Sequence, residues 1–197
     1  MILATRNRHK LEEMAELLPS LDLQLLPAEL DSPPEDGDSF EANALIKARA
    51  AHRATGEAVI ADDSGIAAED LGGEPGIYSA RYAGEGASDE ENLAKLLREV
   101  DAAGGDRRAA YVCALALIDK AGDEHVFEAR CEGRLLAEGR GEGGFGYDPA
   151  FVPDDTGAGD ERTFAELSAV EKHAVSHRGR AARMLAEHLR SRPGSDL

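Results

Sequence analysis

Asp62 and Asp63 stand side by side after the apolar run Ala58–Ala61, and Ser64 and Gly65 follow at once. Open α/β sheets bind ligands outside the carboxyl ends of their strands, which is where this pair falls. Two successive residues of a strand point to opposite faces, so one carboxylate can face a site while the other braces the loop. A carboxylate so placed can accept a proton from water. It can also hold magnesium, which takes one or two carboxylates and completes its shell with water and substrate phosphates. An Asx-turn or helix cap is the purely structural use of such an aspartate. Glu35, in the acidic stretch upstream, is a candidate second carboxylate; taken alone it reads as a solvated loop residue.

A second group of reactive residues opens the chain. Thr5, Arg6, Asn7, Arg8, His9 and Lys10 follow the short apolar run from Met1, and Leu11, Met14, Leu17 and Leu18 then recur at helical spacing. With Asn7 as N-cap, a hydroxyl, an amide and three cationic side chains gather at a helix N-terminus, a place that favours phosphate. The glycines and Lys-Ser/Thr pair of a Walker motif are missing. Lys172, His177 and Arg178 form a third group near the start of the closing helix; lysine and arginine only donate hydrogen bonds, so they select carbonyl and phosphate oxygens.

Gly141-Glu142-Gly143-Gly144-Phe145-Gly146 formally matches GxGxxG, but Pro149 stands where a helix should open, so no dinucleotide fingerprint is present. The loop instead presents Phe145 and Tyr147 beside Gly146 and Asp148, and an aromatic ring between glycines can lie flat on a base or simply fill a core. A nucleophile triad of Ser64 and His177 lacks the GxSxG elbow. Cys113 and Cys131 have no metal-ligand or CxxC spacing and read as core thiols.

Charge narrows the partners. The 197 residues carry 22 Lys+Arg against 39 Asp+Glu, a net charge of -17, which argues against a nucleic-acid-coating protein. Arg6–Lys10 and Lys172–Arg192 nevertheless hold nine basic residues and the single acid Glu187. The rest of the chain has 13 basic and 38 acidic residues, or -25. The two segments therefore read as a small basic site on an acidic protein, against the blander account of solvated helix faces. At 42% apolar and 31% charged residues the chain should fold as a globular protein. The longest apolar run, Ala109–Ile118, is about half a membrane span, and the five residues before Arg6 are too short for a signal sequence, so a cytoplasmic setting is expected.

These residues need elements to hold them. The patterns predict a strand at Met1–Thr5, a helix from Asn7, a strand at Leu21–Leu26 and an acidic loop over Ala28–Asp38. Next come a helix capped by Ser39, with Lys47 among Ala44, Ala48 and Ala51, and a buried strand at Ala58–Asp62. A long ordered loop with one helical turn is expected over Gly65–Gly86. Then follow a helix with the capping box Ser88/Glu91, two strands at Ala109–Ile118 and His125–Leu136 joined near Gly122, a short segment Phe151–Pro153, and a closing helix capped by Ser176 with Ala181, Leu185 and Leu189 inward. No repeat or linker divides the chain, so a single α/β domain over 1–197 is expected.

Six motifs in register, Thr5-x-Asn7-x-x-Lys10, Asn43-Ala44-x-x-Lys47-Ala48, Ala61-Asp62-Asp63-Ser64-Gly65, Gly73-x-Pro75-Gly76-x-Tyr78-Ser79-Ala80-Arg81, Gly144-Phe145-Gly146-Tyr147-Asp148-Pro149 and Ser176-His177-Arg178-Gly179, strongly resemble the inosine/xanthosine triphosphate pyrophosphatase family. The resemblance runs over nearly the whole chain. It implies a two-lobed α/β fold with an elongated mixed sheet, flanking helices and a central nucleotide-binding cleft, usually in a homodimer. It implies magnesium-dependent hydrolysis of ITP, dITP and XTP to the monophosphate and pyrophosphate, which cleanses the nucleotide pool. Carried over by residue, Asp63 is the proton acceptor and a magnesium ligand, Glu35 the second metal carboxylate and Asp62 its support. Thr5, Arg6, Asn7, Arg8, His9, Lys10, Lys47 and Ser64 hold the triphosphate. Phe145 stacks on the base, and Gly146, Tyr147, Asp148, Lys172, His177 and Arg178 complete the nucleoside site. Many relatives have glycine where Arg6 and His9 stand. A catalytically weak nucleotide-binding or sensing protein and a pyrophosphatase for modified pyrimidines or methylated nucleotides are the alternatives; the intact Asp62-Asp63 pair argues against the first.

Overall fold

The computed structural model describes residues 1–30 and 33–191; the end of the second basic segment at Arg192 and two positions of the acidic loop lie outside the described residues. Among the described residues six strands form one mixed sheet: β1 (Ile2–Leu3), β2 (Gln24–Leu25), β3 (Val59–Ala68), β4 (Arg108–Ile118), β5 (Glu124–Leu135) and β6 (Phe151–Pro153), in the order β2-β1-β3-β4-β5-β6. β1 runs parallel to β2 and to β3, with Ile2 opposite Val59 and Leu3 opposite Ile60, while β6 is antiparallel to β5. The helices are α1 (Arg8–Leu17), α2 (Phe40–Thr55), α3 (Asp89–Ala103), α4 (Ala169–Val175) and α5 (His177–Ser191). None of them is long and apolar enough to cross a membrane.

The chain divides into two compact units. Unit one is Met1–Asp63, Cys113–Ala129 and the described chain from Arg178; unit two is Ser64–Val112 and Arg130–His177. In unit one the alternation of β3 and β4 sorts side chains into two cores. Ile60, Cys113, Leu115 and Leu117 pack with Met14 and Leu18 beside α1, and with Ala181 and Leu185 of α5. Val59, Ala61, Ala114 and Ala116 pack with Ala44, Ala48 and Ala51 of α2. By the same period of two, Asp62 continues the Ile60 face and Asp63 the Ala61 face. Unit two has one core, in which Ile66, Leu96, Val100, Tyr111, Phe151 and Phe164 meet.

Local signals explain most element ends. Asn7 caps α1 by accepting the Lys10 N–H, Ser39 caps α2, and Ser88 and Glu91 close a reciprocal capping box on α3. Both cysteines are buried and neither forms a disulfide. Three expectations change. β3 continues past Gly65 to Ala68, because Ile66 and Ala68 keep alternating into the core of unit two and Ser79 Oγ accepts the Ile66 N–H at 2.9 Å. The loop beyond it holds two 3-10 turns, Glu69–Leu71 and Gly76–Arg81, and not one. Helix α4 is also present, with its own capping box between Ser168 and Glu171. Ser176, in extended conformation, closes α4 and directly precedes α5.

Candidate active site

Unit one carries two charge networks on opposite faces of β3. On the first, Asp62 is almost wholly enclosed. Lys10 pairs with its Oδ1, while Arg178 Nε donates to Oδ2 at 3.2 Å and the Cys113 thiol donates to the same oxygen at 3.3 Å. Arg178, only 1% exposed, also donates through Nη1 to Glu13 at 2.5 Å. Burial by itself would raise the Asp62 carboxyl; Arg178 and Lys10 overcome that and hold it well below the usual carboxylate range. The Cys113 thiol is pushed far up by burial and by Asp62, so it stays a protonated donor.

On the second face, Lys47 of α2 reaches between two carboxylates. Its Nζ donates to Asp63 at 2.7 Å and to Glu35 at 3.1 Å. The small residues around it, Ala44, Ala48 and Ala51, let α2 lie close to the sheet, so the lysine stem passes through an apolar layer to an acidic end. Burial raises the Asp63 carboxyl above its ordinary value, and Lys47 only partly offsets it. Burial would lower Lys47, but Asp63 and Glu35 outweigh it and keep the ammonium charged. Two carboxylates thus converge on one centre of positive charge, a donor set that suits a hard divalent cation. No cluster of three or more metal-ligating side chains exists among the described residues, so a metal here would take the rest of its shell from substrate and water, as magnesium does.

Unit two holds a further buried carboxylate, Asp148, 2% exposed. Its Oδ1 accepts the Tyr111 hydroxyl at 3.1 Å; its Oδ2 accepts Lys172 Nζ at 2.8 Å and the Phe145 N–H at 2.9 Å. Burial, reinforced by Asp148, pushes the Tyr111 phenol far up and keeps it a donor. Gly144 is at φ 71, and a Cβ there would lie 2.1 Å from Asp148 Oδ2, so this turn admits only glycine. Phe145 is half-buried, with Lys172 Nζ 5.2 Å from its ring centre. The His177 ring stacks on Tyr111 at 4.6 Å with 6° between planes. Gly146 donates its N–H to Asp89 at 2.8 Å, and the Tyr147 hydroxyl donates to the Ser79 carbonyl at 2.6 Å. This unit offers a half-exposed ring beside an ammonium group, suited to a flat, oxygen-bearing heterocycle.

The model of the Ham1 family matches residues 1–188 of the sequence. The chain belongs to that family. It is similar to the dITP/XTP pyrophosphatase of Geobacter sulfurreducens, 47% identical over 195 residues that cover 96% of each chain. Among solved structures it is similar to a HAM1 protein from Coxiella burnetii, with a TM-score of 0.86 and 38% identity over 97% of this chain and 98% of that one. It also matches the nucleoside-triphosphatase / dITP/XTP pyrophosphatase of Mycobacterium abscessus, with a TM-score of 0.73 and 44% identity over 95% and 97% of the two chains. The ITPase-like α/β fold implied by the motifs is thereby shown.

Within this Ham1-family chain, the residues named from sequence separate by what they touch. Asp63, Lys47 and Glu35 come together, as do Asp148, Lys172 and Phe145. Asn7 is at the α1 cap and Thr5 Oγ1 accepts its N–H at 3.1 Å; Arg6 donates to the Leu30 carbonyl, and Arg6, Arg8 and His9 are exposed. Ser64 is half-buried on β3. Two cations of the basic segments are neutralised by buried acids. Lys10 and Arg178 meet at Asp62, and Glu13 takes the other side of Arg178, so two cations are balanced by two carboxylates. Glu13, Tyr111 and Asp89 were missed, and Asn43 stood in a motif with no role assigned. Glu13 had a signal: it lies three residues after Lys10, on the same helix face.

Proposed function

We propose that this chain hydrolyses deaminated purine nucleoside triphosphates, dITP, ITP and XTP, to the monophosphate and pyrophosphate. Its membership of the Ham1 family and its likeness to the dITP/XTP pyrophosphatase of Geobacter sulfurreducens support this reaction. The observation that carries the site assignment is the buried Asp63 carboxylate, more basic than an ordinary aspartate and 2.7 Å from Lys47. Asp63 takes a proton from water as the water oxygen bonds to the α-phosphorus. The bond from that phosphorus to the bridging oxygen breaks, and pyrophosphate leaves with the electron pair. Lys47 orients the Asp63 carboxylate and neutralises charge on the phosphates, with Lys10 and the first turn of α1 contributing further donors. Asp63 and Glu35 would hold magnesium, which supplies charge neutralisation on the phosphate oxygens.

Selectivity falls to unit two. Phe145 stacks on the purine, and Lys172, braced by Asp148, donates to the 6-oxygen that inosine and xanthine share. Adenine carries an amine there and leaves the donor unpaired, a mismatch that can reject by about 10⁴. Guanine also carries the 6-oxygen, so its rejection must come from other contacts. A homodimer and a cytoplasmic setting belong to the same reading.

The test is pyrophosphate release from ITP, XTP, ATP and GTP with magnesium present. Release from ITP and XTP far faster than from ATP and GTP is expected. Orthophosphate as product, or equal rates on all four, overturns the proposal.

A further inference from the structure

A hydrogen bond from a backbone N–H fastens the loop carrying Glu35 to α2. The Gly37 N–H donates to Asn43 Oδ1 at 2.9 Å, and Asn43 is wholly buried in the first turns of the helix. The approach is close: a Cβ on Gly37 would sit 2.8 Å from the Ala42 Cβ and 2.8 Å from Asn43 Oδ1. Asn43 precedes Lys47 by one helical turn, on the same face. From there Lys47 reaches the Glu35 carboxylate two residues before Gly37. The clasp therefore fixes the chain two residues after Glu35, while Lys47 holds the Glu35 carboxylate itself.

The choice of residue is costly unless the oxygen is needed. Asn43 Nδ2 is buried with no hydrogen-bond partner among the described residues, a state that native proteins rarely leave standing. A leucine or methionine would fill the same space among the α2 alanines with no orphaned donor. What asparagine adds is the carbonyl oxygen that holds Gly37.

We propose that Asn43 and Gly37 are positioning residues that set the Glu35 carboxylate beside Asp63 and thereby govern the affinity for the divalent cation, without touching metal or substrate themselves. This rests on the assignment of Glu35 and Asp63 to magnesium made above, and the experiment separates the two ideas. Mn²⁺ is titrated into the full chain with α,β-methylene-ITP present, and free Mn²⁺ is counted by electron paramagnetic resonance. Melting temperatures are recorded alongside. Glu35→Gln weakens Mn²⁺ binding if the metal assignment holds. Asn43→Ala and Gly37→Ala should each weaken it about 10-fold or more, as loss of an outer-shell partner does. Asn43→Ala should add nothing in the Glu35→Gln background, because both changes act through one carboxylate. Gly37→Ala breaks the clasp from the loop side and carries the test if the helix variant fails to fold. Mn²⁺ affinity within twofold of wild type in the folded clasp variants, or additive losses in the double variant, overturns the positioning role and leaves Glu35 in place. Unchanged affinity in Glu35→Gln overturns the metal assignment and this inference with it.

Discussion

On the α1/α5 face of β3, Asp62 is closed in by Lys10, Arg178 and the Cys113 thiol; on the α2 face, Asp63 shares one lysine with Glu35. The two carboxylates are neighbours in sequence and both are buried, yet their proton affinities move in opposite directions from the ordinary aspartate value. The balance of partners decides it. Asp62 receives more positive charge than burial takes away, so its ionised form is favoured by the fold. Asp63 receives less, so its ionised form is held at a cost and it remains avid for a proton or a cation. A group of the first kind stabilises structure, and a group of the second kind can do chemistry at the expense of stability.

The largest expected effect separates these roles. Asp63→Asn should lower kcat on ITP by about 10² to 10⁴, the span usual for loss of a positioned proton acceptor. Its melting temperature should hold or rise, because the amide removes a carboxylate that burial disfavours. Undiminished turnover would move the proton acceptor elsewhere. A fall in melting temperature alongside lost turnover would erase the distinction drawn between the two faces.

Arg178→Met tests the other face. It leaves Asp62 and Glu13 buried with less positive charge than the fold provides for, and breaking such a network costs about 3–5 kcal/mol. Urea unfolding at neutral pH measures it. The pH dependence has a definite sign. Asp62 is depressed in the folded chain, so its contribution is present above the unfolded aspartate value of about 4 and is lost as pH falls through the lower folded value. The stability gap between wild type and Arg178→Met should therefore narrow below about pH 4. A gap that stays constant through the acid range would mean that Asp62 is not the partner that matters.

How much of this could be read beforehand differs between the two carboxylates. That they point to opposite faces follows from the strand period and was legible. So was Lys47 on the alanine face of α2, since its spacing with Ala44, Ala48 and Ala51 sits within one helix. The partners of Asp62 were not. Cys113 lies 51 residues away and Arg178 lies 116, and no local pattern encodes which buried acid a distant arginine will meet. The extension of β3 past Gly65 was hidden for a related reason. A glycine in a strand signals a stop or a close approach, and here Ser79, from a later turn, approaches: a Cβ on Gly65 would lie 2.4 Å from its Oγ. Helix α4 did carry a local signal, the Ser168/Glu171 box, but it spans only seven residues and its apolar face is short.

Asp148 extends the comparison to unit two. By its bonding it resembles Asp62, since Lys172, the Phe145 N–H and the Tyr111 hydroxyl all donate to it. It differs in that only one full positive charge is among those three. Tyr111→Phe removes one donor and keeps the ring that packs 4.9 Å from Phe151 and stacks on His177. A hydrogen bond to a charged group contributes about 1.5–3 kcal/mol, and the two remaining donors should hold this loss near the lower end. The expected change is therefore about 1.5 kcal/mol in urea unfolding, well under that of Arg178→Met, with kcat unchanged and KM for ITP raised a few-fold as Lys172 loosens. A loss as large as that of Arg178→Met would show that Tyr111 supports Asp148 as strongly as the arginine supports Asp62. An unaltered KM would separate Asp148 from the recognition of the base.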